Sequence, residues 1–343
     1  MTIGYDGSRA FLRERTGTEN YSYHLLQALT KIDKKNRYIV YTRKTIPWKR
    51  FWTQGGLALQ TFRDKLDVLF VPAHTLPLIR RPGLKTVVTV HDLGAEYLPT
   101  MHQLKQVLYL KLMTHLQIKS ATKIIAVSKA TRDDLVRKIG INPNKIAVIY
   151  EGYDKNKFNY DTKNHSLSDY FLFVGTVQPR KNLERVIEAF VMIRSHFGDG
   201  IKLIIAGPKG WLSGPIYALP KKLGVGDRVK FLGYVPNEKL PVLYSRAIAL
   251  VFPSLFEGFG LPILEAQACG CPVLTSNISS MPEVAGKGAL FVDPYSAESI
   301  KNGMVKIMNN SLRLKIKELG FENIKRFSWE KCAEETLEVL EGL

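Results

Sequence analysis

Short apolar runs alternate along this chain with longer stretches in which apolar residues recur at helical spacing. The runs of the first half are almost continuously apolar, which is typical of parallel strands that are covered by helices on both faces. The strands predicted in this half are Ile3–Tyr5, Tyr38–Tyr41, Val68–Val71, Thr86–Val90, Lys123–Val127 and Ile146–Ile149. Helices are predicted between them, notably Glu19–Lys31 and Gln103–Lys119.

The same alternation continues through the second half. Its predicted strands are Tyr170–Val174, Ile201–Ala206, Val229–Leu232, Ile248–Phe252, Val273–Ser276 and Ala289–Val292. An amphipathic helix is predicted at the end of the chain, over Trp329–Leu340. Strands that alternate with helices along the whole chain predict an α/β fold built from doubly wound parallel sheets.

A polar segment divides the two halves. The stretch from about Glu151 to Ser168 is rich in Asp, Asn and Lys, and a chain of 343 residues is long enough for two domains. We therefore predict a first domain over residues 1–155, a linker over 156–168, a second domain over 169–325 and a C-terminal helical segment over 326–343.

Positive charge is concentrated in the first half. The chain has a formal net charge of +18, and residues 1–150 contain 25 Lys and Arg against 10 Asp and Glu. Such a surplus favours an anionic partner, either nucleic acid or a membrane surface. No zinc finger or RNA-binding signature is present, so we expect an anionic membrane surface and no nucleic acid.

Two segments are candidates for membrane contact. Pro47–Trp52 interleaves aromatic residues with cations, as interfacial anchors do, although the same segment could form an acceptor pocket. The second candidate is Gln103–Lys119, for which core packing is the favoured interpretation.

The cysteines and the N-terminus indicate the compartment. The three cysteines, Cys269, Cys271 and Cys332, have no zinc-site spacing and are interpreted as small packed residues. The N-terminus lacks the pattern of a signal peptide, and no run of about 18 apolar residues occurs. We expect a cytoplasmic protein that is peripheral on the inner face of the plasma membrane.

The most informative motif is Glu257–Glu265, which contains two carboxylates, two glycines and Pro262. Pro262 suits the first turn of a helix, and a helix that begins at a glycine-rich loop offers unpaired N–H groups to a phosphate. The carboxylates add acceptors for hydroxyl groups, so the motif predicts a ligand with both phosphate and polyol, such as a sugar nucleotide. In the alternative interpretation, Glu265 only complements the helix dipole and Glu257 is a solvated loop residue.

These residues resemble the E-x7-E signature of retaining glycosyltransferases of family 4, in which two Rossmann-like domains of the GT-B fold face each other across a cleft. The overall resemblance is to bacterial mannosyltransferases of surface polysaccharide assembly. It implies that the first domain binds the acceptor, that the second binds the nucleotide-sugar donor, and that the C-terminal helix can cross back to the first domain. Further matching segments are Gly175–Leu183, Gly207-Pro208, Phe231–Val235, Cys271–Thr275, Met281–Gly286 and Ala289–Pro294 in the second half, and Gly17–Tyr21, Val90–Leu93 and Ala126–Thr131, more loosely, in the first.

Two adjacent cations, Arg180 and Lys181, follow a predicted strand and could neutralise a diphosphate. The alternative is a solvated helix start, where the helix dipole disfavours cations. The resemblance implies that this pair binds the donor phosphates as the leaving group departs. No DxD-like metal pair or histidine cluster lies in a matching position, so we expect no metal.

The resemblance also implies roles for the motif. Glu265 is expected to accept hydrogen bonds from the ribose, and Glu257 to hold hydroxyls of the transferred sugar. The backbone amides expected to help Glu257 are those of Gly258, Phe259, Gly260 and Leu261. Val235 is expected near the nucleobase.

In the first half, His91 ends the predicted strand Thr86–Val90, where a side chain points toward the ligand crevice of an α/β sheet. The alternative is a histidine that a loop carbonyl satisfies. The resemblance implies that His91 touches the donor sugar, while Asp92 either fixes the tautomer of His91 or holds an acceptor hydroxyl. The amides of Gly17 and Thr18 are expected to meet the donor phosphate.

The resemblance therefore implies a glycosyltransferase that retains the anomeric configuration, and we expect it to work without a metal ion. It would move a hexose from a nucleotide sugar, with GDP-mannose favoured and a UDP-hexose carrying glucosyl, galactosyl or GlcNAc as the close alternative, to a glycan or lipid-linked acceptor at the membrane. The nucleotide sugar is a substrate, so no cofactor is expected. A sugar-nucleotide epimerase of the same architecture is an alternative, and a basic nucleic-acid-binding protein is a distant one.

Overall fold

The computed structural model describes residues 1–12, 15, 17–42, 51–93, 114–160, 169–193 and 200–343. The chain divides into two compact units, of which unit 1 is Met1–Gly152 with Phe327–Leu343 and unit 2 is Tyr153–Arg326. The change of unit therefore lies three residues before the predicted end of the first domain at residue 155. Residues 156–160 of the predicted linker belong to unit 2, and 161–168 lie outside the described residues.

Unit 1 contains a six-stranded parallel sheet in the order β2-β1-β3-β4-β5-β6. The strands are β1 (Thr2–Asp6), β2 (Arg37–Tyr41), β3 (Val68–Val71), β4 (Lys85–Val90), β5 (Lys123–Ala126) and β6 (Ile146–Val148). Each predicted strand of this half is present, and its bounds differ by at most one residue at either end. The inner strands β3, β4 and β5 are buried along nearly their whole length, as a sheet covered on both faces requires.

The helices of unit 1 lie between these strands along the chain, except for the C-terminal helix. They are α1 (Gly17–Ile32), a π-helix (Trp52–Leu57) that continues as α2 (Ala58–Arg63), α3 (Lys129–Asp134) that continues as a π-helix (Leu135–Ile139), a 3-10 turn (Pro143–Lys145) and the C-terminal helix (Trp329–Glu341). The predicted helix Glu19–Lys31 lies within α1. Residues 114–119 of the predicted helix Gln103–Lys119 are helical, and 103–113 lie outside the described residues.

The C-terminal helix packs against α1 in unit 1. Ser328 caps it by accepting a hydrogen bond from the Lys331 amide, and Trp329 stacks on His24 with ring centroids 5.4 Å apart. The backbone of Gly152 approaches this helix start so closely that a Cβ atom there would lie 2.2 Å from the Trp329 nitrogen. Glycine is therefore required at the last residue before the chain enters unit 2.

Unit 2 contains a second six-stranded parallel sheet, in the order β12-β11-β10-β7-β8-β9. Its strands are β7 (Tyr170–Val174), β8 (Lys202–Ala206), β9 (Val229–Gly233), β10 (Ala249–Phe252), β11 (Val273–Ser276) and β12 (Leu290–Val292). Its helices are α4 (Leu183–Met192), α5 (Gly214–Lys222), α6 (Leu240–Arg246), α7 (Leu261–Ala268), α8 (Met281–Ala285), α9 (Ala297–Ile307) and α10 (Asn310–Ile324), with a 3-10 turn at Pro179–Lys181. The predicted strands of this half are also present to within one residue at either end.

Each sheet has one point at which the chain changes direction across it. In unit 1 this switch point lies between β1 and β3, and in unit 2 it lies between β7 and β10. The loops at the carboxyl ends of such a strand pair diverge and leave a crevice, where open α/β sheets bind their ligands. The motif Glu257–Glu265 follows β10, so the topology places it at the switch point of unit 2.

The described residues include no helix that is long and apolar enough to cross a membrane. The cysteines Cys269, Cys271 and Cys332 are unpaired and buried, which agrees with their interpretation as small packed residues.

Candidate active site

Two loops meet at the switch point of unit 2. The loop after β7 passes through Gly175 to the 3-10 turn Pro179–Lys181, and the loop after β10 leads to Glu257. The two are joined directly, because the Leu255 amide donates a hydrogen bond of 2.9 Å to the Arg180 carbonyl. Residues about 76 positions apart in the sequence are thus brought into contact because β7 and β10 are neighbours in the sheet.

A close approach between two backbones fixes where the first of these loops begins. Gly175 and Gly207 follow β7 and β8 and have φ values of 150° and 156°, in the left-handed half of conformational space. A Cβ atom on Gly207 would lie 1.9 Å from the Gly175 carbonyl oxygen, so no other residue fits there. The segments that follow Gly175 and Gly207 run side by side as far as the β-bridge between Val177 and Lys209. This bridge sets the direction in which the first segment enters the 3-10 turn.

A charge cluster of one carboxylate and two cations lies where the loops meet. Arg180 donates from Nη1 to Glu257 Oε2 at 2.8 Å and to the Phe256 carbonyl at 2.9 Å, and Lys181 Nζ donates to Glu257 Oε1 at 2.5 Å. Burial alone would raise the pKa of Glu257, but the charges of Arg180 and Lys181 outweigh it and lower the pKa to about 2. Glu257 is only 6% exposed, so it is a buried, ionised carboxylate and not the solvated loop residue of the alternative interpretation.

Asn182 braces this cluster, and the sequence analysis assigned it no role. It has a left-handed backbone with φ of 62°, which asparagine tolerates better than most residues. Its side-chain amide donates to the carbonyls of Pro253 at 3.0 Å and Pro294 at 2.7 Å, so it ties together the loops that follow β7, β10 and β12. The signal available in the sequence was its position directly after the Arg-Lys pair.

Two serines hold the backbone around Glu257, and they were also missed. Ser279 Oγ donates to the Glu257 carbonyl at 2.7 Å and accepts from the Glu257 amide at 3.3 Å. Ser280 Oγ contacts the carbonyls of Glu257 at 3.0 Å and Phe259 at 2.7 Å. The only hint in the sequence is that both serines precede Met281-Pro282, where α8 begins.

Helix α7 follows the loop and carries the second carboxylate. Gly260 precedes it with φ of 116°, and Pro262 occupies its first turn. Glu265 lies beyond that first turn, so it is not placed to complement the dipole as the alternative interpretation required. It accepts a hydrogen bond of 2.9 Å from Tyr244 Oη. Burial raises the pKa of Glu265 to about 7, and the negative charge of Asp154 adds to this effect, which the Tyr244 hydrogen bond opposes.

The other predicted site residues of unit 2 also follow the carboxyl ends of strands in this sheet. Gly258, Phe259 and Gly260 are buried in the loop between Glu257 and the start of α7 at Leu261. Val235 is half-buried and follows the edge strand β9, two strands away from β7.

In unit 1, His91 follows β4 and uses both of its ring nitrogens internally. Nδ1 lies 3.2 Å from Glu151 Oε1, and Nε2 lies 3.1 Å from the Pro72 carbonyl oxygen. The sequence analysis offered Asp92 as the residue that fixes the ring; the contact at Nδ1 is made by Glu151 instead. Glu151 follows β6, two strands from β4, and this placement could not be read from residues 60 positions apart.

A second histidine, His74, lies beside His91 with ring centroids 5.4 Å apart. Burial lowers the pKa of His74 to about 4, and the neighbouring His91 contributes to the same shift. His74 is therefore neutral at physiological pH.

Gly17 and Thr18 lie at the start of α1, where a Cβ atom on Gly17 would meet nothing within 4 Å. Two of the arginines near this region are engaged within unit 1. Arg9 pairs with Glu19 at 3.1 Å, and the guanidinium of Arg15 lies 3.9 Å from the centre of the Tyr23 ring.

The structure describes only the last two residues of Pro47–Trp52, the candidate segment for membrane contact or an acceptor pocket. Phe51 is 78% exposed, whereas Trp52 is buried and donates from Nε1 to Asp6 Oδ1 at 3.2 Å. Trp52 is therefore a core residue and not an interfacial anchor, which was one of the two roles considered for its segment. Within the described ranges, no group of three or more His, Cys, Asp or Glu side chains is arranged to hold a metal ion.

Comparison with known proteins identifies the family of both halves of the chain. Residues 155–322 match the family of glycosyl transferases group 1, and residues 33–157 match Glycosyltransferase Family 4. The O-antigen chain mannosyltransferase B of Escherichia coli is 31% identical over 263 residues, which are 74% of this chain and 69% of that protein. The O-antigen chain mannosyltransferase RfbU of Salmonella typhimurium is 32% identical over 234 residues, or 68% of this chain and 63% of that protein.

Solved structures show the same architecture. A sucrose-phosphate synthase from Thermosynechococcus elongatus superposes with a TM-score of 0.82 at 20% identity and covers 99% of this chain and 98% of its own. WaaG, a glycosyltransferase involved in lipopolysaccharide biosynthesis, superposes over all of both chains with a TM-score of 0.77 at 18% identity. With both halves matched in sequence and fold, the chain belongs to the group 1 glycosyltransferases of family 4 and has the GT-B fold.

Proposed function

We propose that this glycosyltransferase moves a hexosyl group, with mannosyl favoured, from a nucleotide sugar to a glycan or lipid-linked acceptor at a membrane surface, with retention of configuration and without a metal ion. The observation that carries the proposal is the cluster of Arg180, Lys181 and Glu257 at the switch point of unit 2. The mannosyltransferase names of two relatives support mannose as the sugar.

The cations account for the leaving group. As the glycosidic bond of the donor breaks, negative charge grows on the departing phosphate. Arg180 and Lys181 are already fixed by hydrogen bonds, so they stabilise that charge in the transition state more than in the ground state. In this proposal they supply the charge that a divalent metal supplies in other transferases, and no resident cofactor takes part.

The carboxylates account for the sugar and the ribose. Glu257, with the amides of Gly258, Phe259, Gly260 and Leu261, would hold hydroxyls of the transferred hexose, and Glu265 would accept from the ribose hydroxyls. The nucleobase would lie near Val235. From unit 1, His91 would contact the donor sugar, and the amides of Gly17 and Thr18 would contact the donor phosphate.

The basic first half supports the place of action. Residues 1–150 carry 25 Lys and Arg against 10 Asp and Glu, and the exposed Phe51 lies within the aromatic and basic segment. We therefore propose that the enzyme binds the anionic inner face of the plasma membrane, where a lipid-linked acceptor would be found, and that it does not act on nucleic acid.

The first test is thermal stabilisation of the wild type and of Glu265→Ala by GDP, UDP, ADP and dTDP in the presence of EDTA. A nucleotide at about 100 times its dissociation constant stabilises the folded state by about 2.7 kcal/mol. Stabilisation by GDP, reduced in Glu265→Ala, is expected and supports a GDP-sugar donor. A response to UDP alone would replace mannose by a UDP-hexose, and no response to any of the four would contradict the proposal.

The second test is transfer from GDP-mannose to a lipid-linked glycan on vesicles, with the anomeric configuration of the product read by NMR. An α-linked product formed in EDTA is expected. A β-linked product would exclude retention, and conversion of the sugar nucleotide without any acceptor would indicate an epimerase.

A further inference from the structure

The loop after β11 holds the loop that carries Glu257. Ser279 Oγ donates to the Glu257 carbonyl at 2.7 Å and accepts from the Glu257 amide at 3.3 Å. Ser280 Oγ lies 3.0 Å from the Glu257 carbonyl oxygen and 2.7 Å from the Phe259 carbonyl oxygen. A hydroxyl can donate one hydrogen bond and accept two, so the single hydroxyl of Ser279 engages both polar groups of the Glu257 main chain.

The backbone of Ser279 has a conformation that a side chain disfavours. Its φ is 58°, in the left-handed region, where the Cβ atom of an L-residue is crowded and glycine has no such cost. Of the described residues, four other than glycine have a positive φ, and two of them, Asn182 and Ser279, lie in loops of the candidate active site. Residues with such strain cluster at functional sites and persist where the surrounding structure holds them. The strain at Ser279 therefore indicates a role for its hydroxyl in this site.

The loop after β11 is itself fixed to the neighbouring strand. Thr275 Oγ1 donates to the Phe252 carbonyl at 2.8 Å, and Ser276 Oγ donates to the Ser254 carbonyl at 2.8 Å. These buried hydrogen bonds join the carboxyl ends of β10 and β11 just before the two loops begin. The support that this loop gives therefore does not depend on the hydroxyls further along it.

Glu257 is held at both of its ends. Its carboxylate accepts hydrogen bonds from Arg180 at 2.8 Å and from Lys181 at 2.5 Å, which belong to the loop after β7, while Ser279 and Ser280 hold its main chain. The two cations are also the residues that we propose bind the donor phosphate. A phosphate bound to the same cations repels the carboxylate and competes for their N–H groups. The position of the carboxylate then depends more on the main-chain contacts.

We propose that Ser279 is a positioning residue for hexosyl transfer, whose hydroxyl holds the Glu257 main chain so that the carboxylate keeps its place while Arg180 and Lys181 bind the donor phosphate. The proposal rests on the proposed function, in which Glu257 holds hydroxyls of the transferred hexose. A nucleotide without its sugar has no such hydroxyls. Ser279 therefore serves the transfer of the hexose and not the binding of the nucleotide.

Three variants separate the hydroxyl of Ser279 from the strain of its backbone. Ser279→Gly and Ser279→Ala both lack the hydroxyl, but only glycine adopts a φ of 58° without strain. Transfer, measured as kcat/KM for the nucleotide sugar, should fall by about tenfold in both, since a small misplacement of a binding group slows the reaction. The glycine variant should nevertheless have a higher Tm than the alanine variant. Ser279→Thr keeps the hydroxyl on a β-branched residue, so it should recover most of the transfer but have a lower Tm than the wild type.

The affinity for the free nucleotide distinguishes positioning from a general loosening of the site. The dissociation constant for GDP or UDP, whichever the wild type binds, should be unchanged in the glycine and alanine variants, as calorimetry measures. Asn309→Ala is the matched control, because it also removes one side-chain oxygen that accepts a backbone amide, that of Leu312 at 3.0 Å in α10. This control should lower the Tm and leave transfer unchanged.

Full transfer in the glycine and alanine variants overturns the proposal. Transfer that follows the order of the Tm values also overturns it, as does a nucleotide affinity that falls together with transfer, because either result shows that Ser279 only stabilises the loop. A wild type that transfers hexose from no nucleotide sugar contradicts the proposed function instead, before any variant is compared.

Discussion

The two carboxylates of the Glu257–Glu265 segment lie eight positions apart and have opposite electrostatic environments. Glu257, in the loop after β10, faces two cations that hold its pKa at about 2. Glu265, in helix α7, faces a tyrosine hydroxyl, and burial raises its pKa to about 7. Both are buried, so the difference comes from the partners that the fold supplies. We call Glu257 the loop end of the segment and Glu265 its helix end. The loop end is ionised throughout the physiological pH range, whereas the helix end changes its charge near neutral pH.

The largest effect is expected from Glu257→Gln. If the ionised carboxylate holds the sugar while the cations serve the phosphate, transfer should fall by about 10²- to 10³-fold. Affinity for GDP should rise several-fold at the same time, because Arg180 and Lys181 are no longer neutralised by an internal carboxylate. Steady-state kinetics and calorimetry measure the two quantities. Glu318→Gln, on an exposed face of unit 2, is the control, and an unchanged GDP affinity would contradict the idea that Glu257 and the phosphate share the cations.

Removal of one cation should destabilise the loop end. Lys181→Ala leaves a buried carboxylate with Arg180 alone and is expected to lower the free energy of unfolding by about 3 kcal/mol at pH 7. The pKa of Glu257 is depressed in the folded state, so its stabilisation is present above about pH 4.5 and is lost as the pH falls toward 2. The difference between the variant and the wild type should therefore shrink from pH 7 to pH 3.5.

Urea unfolding of the full chain, followed by hydrogen exchange of unit 2 amides, measures this difference. Lys325→Ala is the matched control, since it breaks a lysine–glutamate pair in which both side chains are about two-thirds exposed. That pair should contribute less than about 1 kcal/mol. Equal losses in the two variants would show that burial does not set the strength of the Lys181–Glu257 pair.

The bracing of the loop end is tested at Asn182. Asn182→Ala removes the donor to two buried carbonyl oxygens and should cost about 2 kcal/mol. Asn182→Gly removes the same donor but adopts the left-handed backbone without strain, so it should be more stable than the alanine variant by about 1 kcal/mol. Thermal unfolding compares the three proteins, and an alanine variant as stable as the wild type would exclude the bracing role.

The smallest effect is the pH response of the helix end. Ribose hydroxyls bind an ionised Glu265, so affinity for GDP should increase about tenfold from pH 6 to pH 8, with release of a proton on binding. Calorimetry in two buffers of different ionisation enthalpy measures both. Without ligand, the raised pKa of Glu265 makes the free energy of unfolding fall as the pH rises. The stability that this residue contributes below about pH 4.5 is lost as the pH rises through 7. Glu265→Gln should flatten both profiles, and a pH-independent affinity in the wild type would contradict the assignment to the ribose.

The strands could be predicted almost to the residue because each is a short apolar run bounded by polar residues, as Val68–Val71 shows. The helical segment Trp52–Arg63 was not singled out among the helices predicted between the strands, since Gly55 and Gly56 weaken a helix. The aromatic and basic residues before it were interpreted either as an interfacial anchor or as an acceptor pocket. Burial of Trp52 against Asp6 depends on a residue 46 positions earlier in the chain and leaves no mark in the local pattern.

The same contrast applies to the site. Arg180, Lys181, Glu257 and Glu265 could be selected from the sequence because a glycine loop, adjacent cations and paired carboxylates are local signals. Their mutual pairing could not, because it depends on β7 and β10 being neighbours in the sheet. Asn182 was overlooked because its two acceptors come from loops 71 and 112 positions away.

The sequence by itself determined the α/β class, the strand positions and the two-part organisation of the chain, and it singled out the residues that we propose bind the donor. It did so because apolar periodicity and glycine or proline placement act over a few residues. The tertiary structure decided which charges meet. It placed Glu257 between two cations, left Glu265 with a tyrosine, and gave His91 the carboxylate of Glu151 in place of Asp92. Electrostatic pairing depends on distance in space, and strand order sets that distance.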